Sequence, residues 1–297
     1  MQIARRLEPL ETMMKNMPPV DQLPAYAGGL LQLLRTVIGI KLDAIFHEKE
    51  IAEQGSDFFN GLEARFFRNV TESILTGMDW KLDIEGEFPE KPGGRWVYIM
   101  NHPTLIATWT PFHVTSERLA PHTAVVAKQE LLDNPITGFL LGEPLQTIGN
   151  VGFINRGQRE EAYMGVRRAV ETVLRPDTGL IIFPDAHRPY AHTVEKERKT
   201  WSEKLPYAGI NEWMTETCMP RSGGLWNMLR ATEEMPDVRF ANLTSAEPRK
   251  RHGVFHVAYE EVTREEMQGT TGTVYHLNQW LLEEWKKKNE RIREWRA

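Results

Sequence analysis

The residues able to do chemistry gather where apolar runs give way to polar ones. In "VYIMNHPTLIATW", positions 97–109, a hydrophobic run stops at Asn101-His102-Pro103 and so presents an imidazole at a strand end. Three more segments share this form: "GFINRGQRE" with Arg156, "IIFPDAHRP" with Asp185, His187 and Arg188, and "CMPRSGG" with Pro220. Each is expected to end a strand. Ligands of open α/β sheets gather at the carboxyl ends of strands, so the four are predicted to line one cleft. An alcohol is a poor nucleophile at neutral pH, and imidazole, with an ordinary pKa of about 6.5, is the side chain suited to accept its proton. A lone His or Arg at a strand end is more often structural, so the joint pattern carries the argument. Asp185, His187 and His192 lie on one loop without a spaced partner elsewhere, and no metal site is expected.

The elements that must position these groups are readable from periodicity. A helical pattern over Asp57 to Leu75 carries Phe58, Phe59, Leu62, Phe66, Phe67, Val70 and Ile74 on one broad face and ends near Gly77. Strands are predicted at 80–84, 96–100, 123–127, 151–154 and 180–183, and later at 238–243 and 254–262. Helical patterns intervene, notably 159–174, and a charged helix at 274–295 could dock through Leu277, Trp280, Leu281, Trp285 and Ile292. Strands alternating with helices give an α/β fold with a mixed, largely parallel sheet flanked by helices; the uniformly apolar "GLIIF" fits a strand covered on both faces. The expected division is a helical region over 1–78, holding two helices, and an α/β domain over 79–297.

Composition removes several classes of function. A formal net charge of −5 argues against nucleic acid as the main partner. The single cysteine, Cys218, excludes an internal disulfide and a cysteine-based zinc site and suits a reducing compartment. Residues 1–19 carry charges and prolines throughout, so no secretory signal is expected there. The most apolar stretch, Leu23 to Phe46, is broken by Arg35, Lys41 and Asp43 and is a poor membrane span. Its Leu30, Leu31, Leu34, Ile38, Leu42 and Ile45 repeat at helical spacing. Two readings stand: a helix packed on the protein's own core, or one lying in a lipid surface.

The four segments, in this order, resemble the blocks of the acylglycerol-phosphate acyltransferase family, the lysophosphatidic acid acyltransferases and relatives, which read roughly NHxxxxD, GxxFIxR, FPEGTR and a Pro-containing block. "VVAKQELLDNPITGFLL" between blocks is similar to the family's "AKxEL…P…G" segment, and "PRSGGLWNMLRA" to its "PRTKGF" type of fourth block. The resemblance runs from about Trp96 to Ala231. It implies that His102 is the general base that takes the proton of a lysolipid hydroxyl, which then attacks an acyl thioester. It implies that Arg156 and Arg188 hold the lipid phosphate, with Lys128 adding to the field; the guanidinium fork can donate two hydrogen bonds to phosphate while staying charged. Arg156 pairing with Glu160, and Lys128 as a solvated strand end, are the plainer alternatives. Asn101, His187 and Pro220 are expected to line the cleft. No cofactor is implied; acyl-CoA or an acyl-carrier-protein thioester is the co-substrate. The implied setting is peripheral, on the cytoplasmic face of a membrane, with Arg5, Arg6, Lys15 and Arg35 helping the contact.

The chain departs from the family at two blocks. Where the family has an aspartate five residues after the histidine, this chain has Ala107. That carboxylate would hold the imidazole in the correct tautomer and stabilise its cation, so loss of activity is expected. A natural pseudoenzyme and a deliberate Asp-to-Ala replacement that stops turnover both account for it, the retained binding blocks favouring the second. Asp185 swinging across to orient His102 is a third route. "PDAHR" also stands in place of "PEGTR", which shortens the reach of the acid at 185, replaces a glycine by Ala186 and brings a second imidazole, His187, toward the cleft. Other lysophospholipid or aminoacyl-lipid acceptors, and a non-catalytic lipid-binding relative, are the rival readings.

Overall fold

A computed structural model describes residues 56–103, 107–128, 133, 151–154, 159–173, 175–185, 187–249, 252–269 and 272–297. The apolar stretch 23–46, Arg5, Arg6, Lys15 and Arg35 lie outside the described residues, as do Arg156 and Ala186. Within the described residues the order is α1 (Ser56–Met78), β1 (Trp80–Glu85), β2 (Arg95–Met100), α2 (Trp109–Arg118), β3 (His122–Lys128), β4 (Val151–Ile154), α3 (Arg159–Val173) and β5 (Thr178–Ile182). There follow α4 (Ala191–Lys204), a 3-10 turn (Pro206–Ala208), α5 (Ile210–Trp213), α6 (Ser222–Ala231), β6 (Val238–Ala246), β7 (Gly253–Val262), α7 (Arg264–Gln268) and α8 (Val274–Arg296).

The seven strands form one sheet in the order β1-β7-β6-β2-β5-β3-β4. Every neighbouring pair is parallel except β6 with β7, which gives the mixed, largely parallel sheet expected from the alternation of elements. Side chains of β2 alternate between two layers. Trp96, Tyr98 and Met100 join α1 and α2 residues such as Phe67, Val70 and Phe112. Val97 and Ile99 point the other way, into Val166 and Val170 of α3, Leu225 and Leu229 of α6, and Leu281 and Trp285 of α8. All five residues of β5 are buried, as a strand covered on both faces requires. Gly179 of β5 lies opposite Trp96, and a methyl group there would come within 2.1 Å of the Tyr98 ring; the glycine makes the room that Tyr98 fills.

With each buried apolar side chain contributing about 1.5–3 kcal/mol, β2 and β5 form the rigid floor beneath the strand ends. Helix α1 belongs to that floor: Phe67, Val70, Ile74 and Met78 are buried, and Phe67 meets Trp109 and Phe112 at ring distances of 6.1 and 5.4 Å. Among the described residues no helix is long and apolar enough to cross a membrane. One expectation fails: "CMPRSGG" does not end a strand. It follows α5 as irregular chain, touches the sheet's extension through a single bridge between Asp185 and Pro220, and runs into α6.

Candidate active site

The register sets the site. Ile99 of β2 lies beside Ile182 of β5, so His102 and Asp185, each three residues further on, emerge together from neighbouring strands at the same sheet edge. The His102 backbone N–H donates to both carboxylate oxygens of Asp185, each at 2.9 Å. On the other flank, Asn101 is locked to β6: its Nδ2 donates to the Ser245 carbonyl and its Oδ1 accepts from the Ser245 N–H, both at 2.9 Å and buried. The histidine backbone is thus clamped between two strands. Its ring stacks on Phe183, centroids 4.4 Å apart and planes within 16°.

The ring Nδ1 lies 3.0 Å from the carbonyl oxygen of Pro103. A carbonyl only accepts, so this contact favours the tautomer with the proton on Nδ1 and the lone pair on Nε2. The Asp185 carboxyl, for its part, accepts the backbone N–H of the same residue. Ala107 is wholly buried in the aromatic layer with Trp109 and Phe112, part of an apolar wall.

Asp185 is itself fully buried, and burial pushes its carboxyl up to about 8, against the pull of the His102 N–H and the Lys288 charge. The loop carrying it is tied to the fourth block. The Arg221 N–H donates to the Pro184 carbonyl at 3.0 Å beside the Asp185–Pro220 bridge, and the Cys218 thiol donates to the Arg188 carbonyl at 3.6 Å. Arg188 keeps its Nε out of solvent with no hydrogen-bond partner among the described residues, and burial draws its pKa below the usual value. An orphaned buried guanidinium N–H is a donor waiting for an anion. His187 is exposed, its Nε2 3.5 Å from Glu197.

Lys128 holds the last position of β3, opposite Ile154 of β4, at the sheet edge from which His102 emerges; its side chain lies outside the described residues, as does Arg156. The structure thus brings Asn101, His102, Asp185 and Pro220 together at one sheet edge, with Arg188 tied through its carbonyl to Cys218 of the fourth block.

Three further residues support it that the sequence did not single out. Glu197 of α4, buried, accepts the Met219 N–H at 2.9 Å and lies 3.5 Å from both His187 and Arg221. Asn289 of α8 accepts three consecutive N–H groups, of Thr215, Glu216 and Thr217, through one oxygen. Lys288, beside it, is 2% exposed and donates to carbonyls of Ile99 and Leu243. A cavity of about 80 Å³ lined by Asn242, Glu260, Glu284, Lys287, Lys288 and Arg291 lies between α8 and β6–β7; it is too small for a lipid and contains none of the cluster's residues. Among the described residues, Asp83, Glu85 and His256 come close enough to share an ion, yet Glu85 is already taken by Arg291 and Trp295.

The comparisons agree with this geometry. No curated protein matches the chain. Among solved structures the fold is similar to that of the 1-acyl-sn-glycerophosphate (LPA) acyltransferase PlsC from Thermotoga maritima, with 16% identity, a TM-score of 0.51, and coverage of 91% of this chain and 98% of that one. The acyltransferase family profile matches residues 81–240, more than half of the chain and all of the elements from β2 to α6. With the histidine, the third block and the fourth block assembled at one edge of the sheet within that match, the chain belongs to the acyltransferase family.

Proposed function

We propose that this chain moves an acyl group from a thioester, acyl-CoA or acyl-carrier protein, to the free hydroxyl of lysophosphatidic acid, giving phosphatidic acid. The observation that carries the reading is the His102 ring, anchored through Nδ1 to the Pro103 carbonyl with its backbone fixed by Asp185. Nε2 takes the hydroxyl proton, the oxygen attacks the thioester carbonyl, and the C–S bond breaks as the sulfur recovers that proton, leaving an ester and a thiol. Arg188, whose Nε has no hydrogen-bond partner among the described residues, binds the phosphate, and Lys128 and Arg156 add positive charge. The reaction takes place at a membrane surface, where the lysolipid enters from the bilayer.

The missing acid makes this a slow catalyst. The Pro103 carbonyl can fix the tautomer, but it cannot offset the charge of the imidazolium as a carboxylate would. The apolar wall at Ala107 also favours a second reading, a lipid-binding relative that does no chemistry. Purified chain incubated with acyl-CoA and lysophosphatidic acid, with product measured by mass spectrometry, separates them. The first reading expects weak product formation that His102→Gln abolishes and Arg188→Gln reduces. Product formation indifferent to His102 would overturn it. Binding of lysolipid vesicles without any product in the chain or its Ala107→Asp variant would select the second. Running the same assay over other lysophospholipid and aminoacyl-lipid acceptors tests the headgroup.

A further inference from the structure

Main-chain pairing between β2 and β6 runs as far as Met100 and Leu243, just before the residues that do the chemistry. Side chains reinforce its last rungs and then extend it. The Lys288 ammonium donates to the carbonyl of Ile99 at 3.4 Å and to that of Leu243, bridging the two strand ends. Two residues further along each strand, Asn101 and Ser245 exchange their pair of hydrogen bonds. His102 follows directly.

Lys288 is an expensive way to fasten two carbonyls. It is 2% exposed, and burial pushes its ammonium down to about 7, with the charges of Glu284, Asp185 and Glu260 pulling the other way and Arg291 adding to the fall. The Trp285 ring lies 4.8 Å from it. Among the described residues it makes no direct ion pair. An apolar side chain of the same length would pack in this layer at no desolvation cost, so a buried ammonium is a poor choice for stability alone. What it supplies is a multi-donor bridge between strand ends, close to the Asp185 carboxyl that holds the His102 N–H.

We propose that Lys288 is a positioning residue for acyl transfer, setting from α8 the strand ends that carry Asn101 and His102. The inference rests on the acyl-transfer reading of His102. It makes α8 part of the catalytic apparatus, although α8 lies beyond the stretch matched by the family profile.

The test compares the full chain with Lys288→Met, Asp185→Asn and the double variant, each also carrying Ala107→Asp for the kinetic arm. Lys288→Met is expected to lower kcat by about 10- to 100-fold while leaving KM for the lysolipid within about 2-fold, the size of effect that a sub-ångström to 1 Å misplacement produces. Its melting temperature should stay within about 3 °C of the parent's, since a buried charge is removed along with its bonds. Because both residues act on the same backbone, the kcat losses of Lys288→Met and Asp185→Asn should combine less than additively. The His102 ring resonance in histidine-labelled chain, assigned with His102→Gln, should move in Lys288→Met. If Lys288→Met does not fold, Lys288→Gln, which keeps one donor, carries the same comparison with a smaller expected loss. A kcat loss that merely tracks melting temperature, additive losses, or an unmoved His102 resonance overturns the proposal. Should no variant transfer acyl groups, the acyl-transfer reading fails while the resonance alone judges the placement of His102.

Discussion

The variant Ala107→Asp puts opposing terms against each other. Position 107 is wholly buried beside Trp109 and Phe112, so a carboxylate placed there needs a partner, and on the acyl-transfer reading that partner is the His102 ring. At about 4 Å and an effective dielectric of about 20, a carboxylate and an imidazolium attract by about 4 kcal/mol. Complete loss of a triad acid's function costs about 10⁴ in kcat in the serine proteases, and the Pro103 carbonyl here already supplies the tautomer. The expected gain is therefore smaller, on the order of 10² to 10³ in kcat, or about 3 to 4 kcal/mol. An unpaired carboxylate would instead cost about 3 to 5 kcal/mol of stability and lower the melting temperature by roughly 10 °C. The pH dependence separates the outcomes. A paired carboxylate has a depressed folded pKa, so its stabilisation is present at neutral pH and is lost on acidification through that value. An unpaired one has a raised folded pKa, so its cost is felt at neutral pH and disappears as the pH falls towards about 4. Acyl transfer at saturating lysolipid and melting curves from pH 4 to 8 measure both. No gain in kcat, together with a melting temperature that recovers in acid, would refute the assignment of position 107 as the missing partner of His102.

Other perturbations have defined outcomes. Asn101→Ala orphans the N–H and carbonyl of Ser245, both buried, and should cost about 2 to 5 kcal/mol in denaturant titration as well as activity. Arg188→Met should raise KM for the lysolipid by about 10-fold or more without lowering stability, because the Nε it removes has no hydrogen-bond partner among the described residues. The folded carboxyl of Asp185 holds its proton to about 8, so its contribution to stability worsens as pH rises from about 4 to 8. Asp185→Asn removes that dependence, and its melting temperature relative to the parent should climb across the same window. Burial pushes the Cys218 thiol far above its usual range, so a disulfide reagent should label it only at the rate of unfolding, and fast labelling of native chain would contradict the burial.

Much of this arrangement was legible in the residues themselves, and what was not has identifiable causes. Apolar runs such as "GLIIF" mark β5 because a strand buried on both faces has no polar positions to alternate with. The 3.6-residue repeat of Phe67, Val70 and Ile74 marks α1 because one stripe faces the sheet. The antiparallel insertion of β7 between β1 and β6 leaves no local trace, since it is decided by which edges remain open after the other strands have paired. The fourth block looked like a strand end, yet Glu197 and Asn289, 22 or more residues away, hold it as irregular chain by accepting its N–H groups or those just before it. Lys288 sits in a run of three lysines on a helix whose docking was read from its apolar residues alone. Its spacing told otherwise: three residues after Trp285 and four before Ile292, it falls on the buried stripe of α8. Asn101 and Asp185 were recognised as site residues, but Asp185's grip on a backbone N–H could not be read from residue types, which suggest ring partners.

The pairing of β1 has a consequence for how the molecule is made. Among the described residues Trp80 to Glu85 pair with Gly253 to Ala258 alone, and Asp79 and His252, which meet just outside that ladder, are 173 residues apart. At about 5 to 20 residues per second, a ribosome takes roughly 10 to 35 s to deliver the second strand after the first. Throughout that interval the nascent chain carries an unsatisfied edge beside a greasy helix, a natural client for holdase chaperones and the point at which overproduction should drive this polypeptide into inclusion bodies.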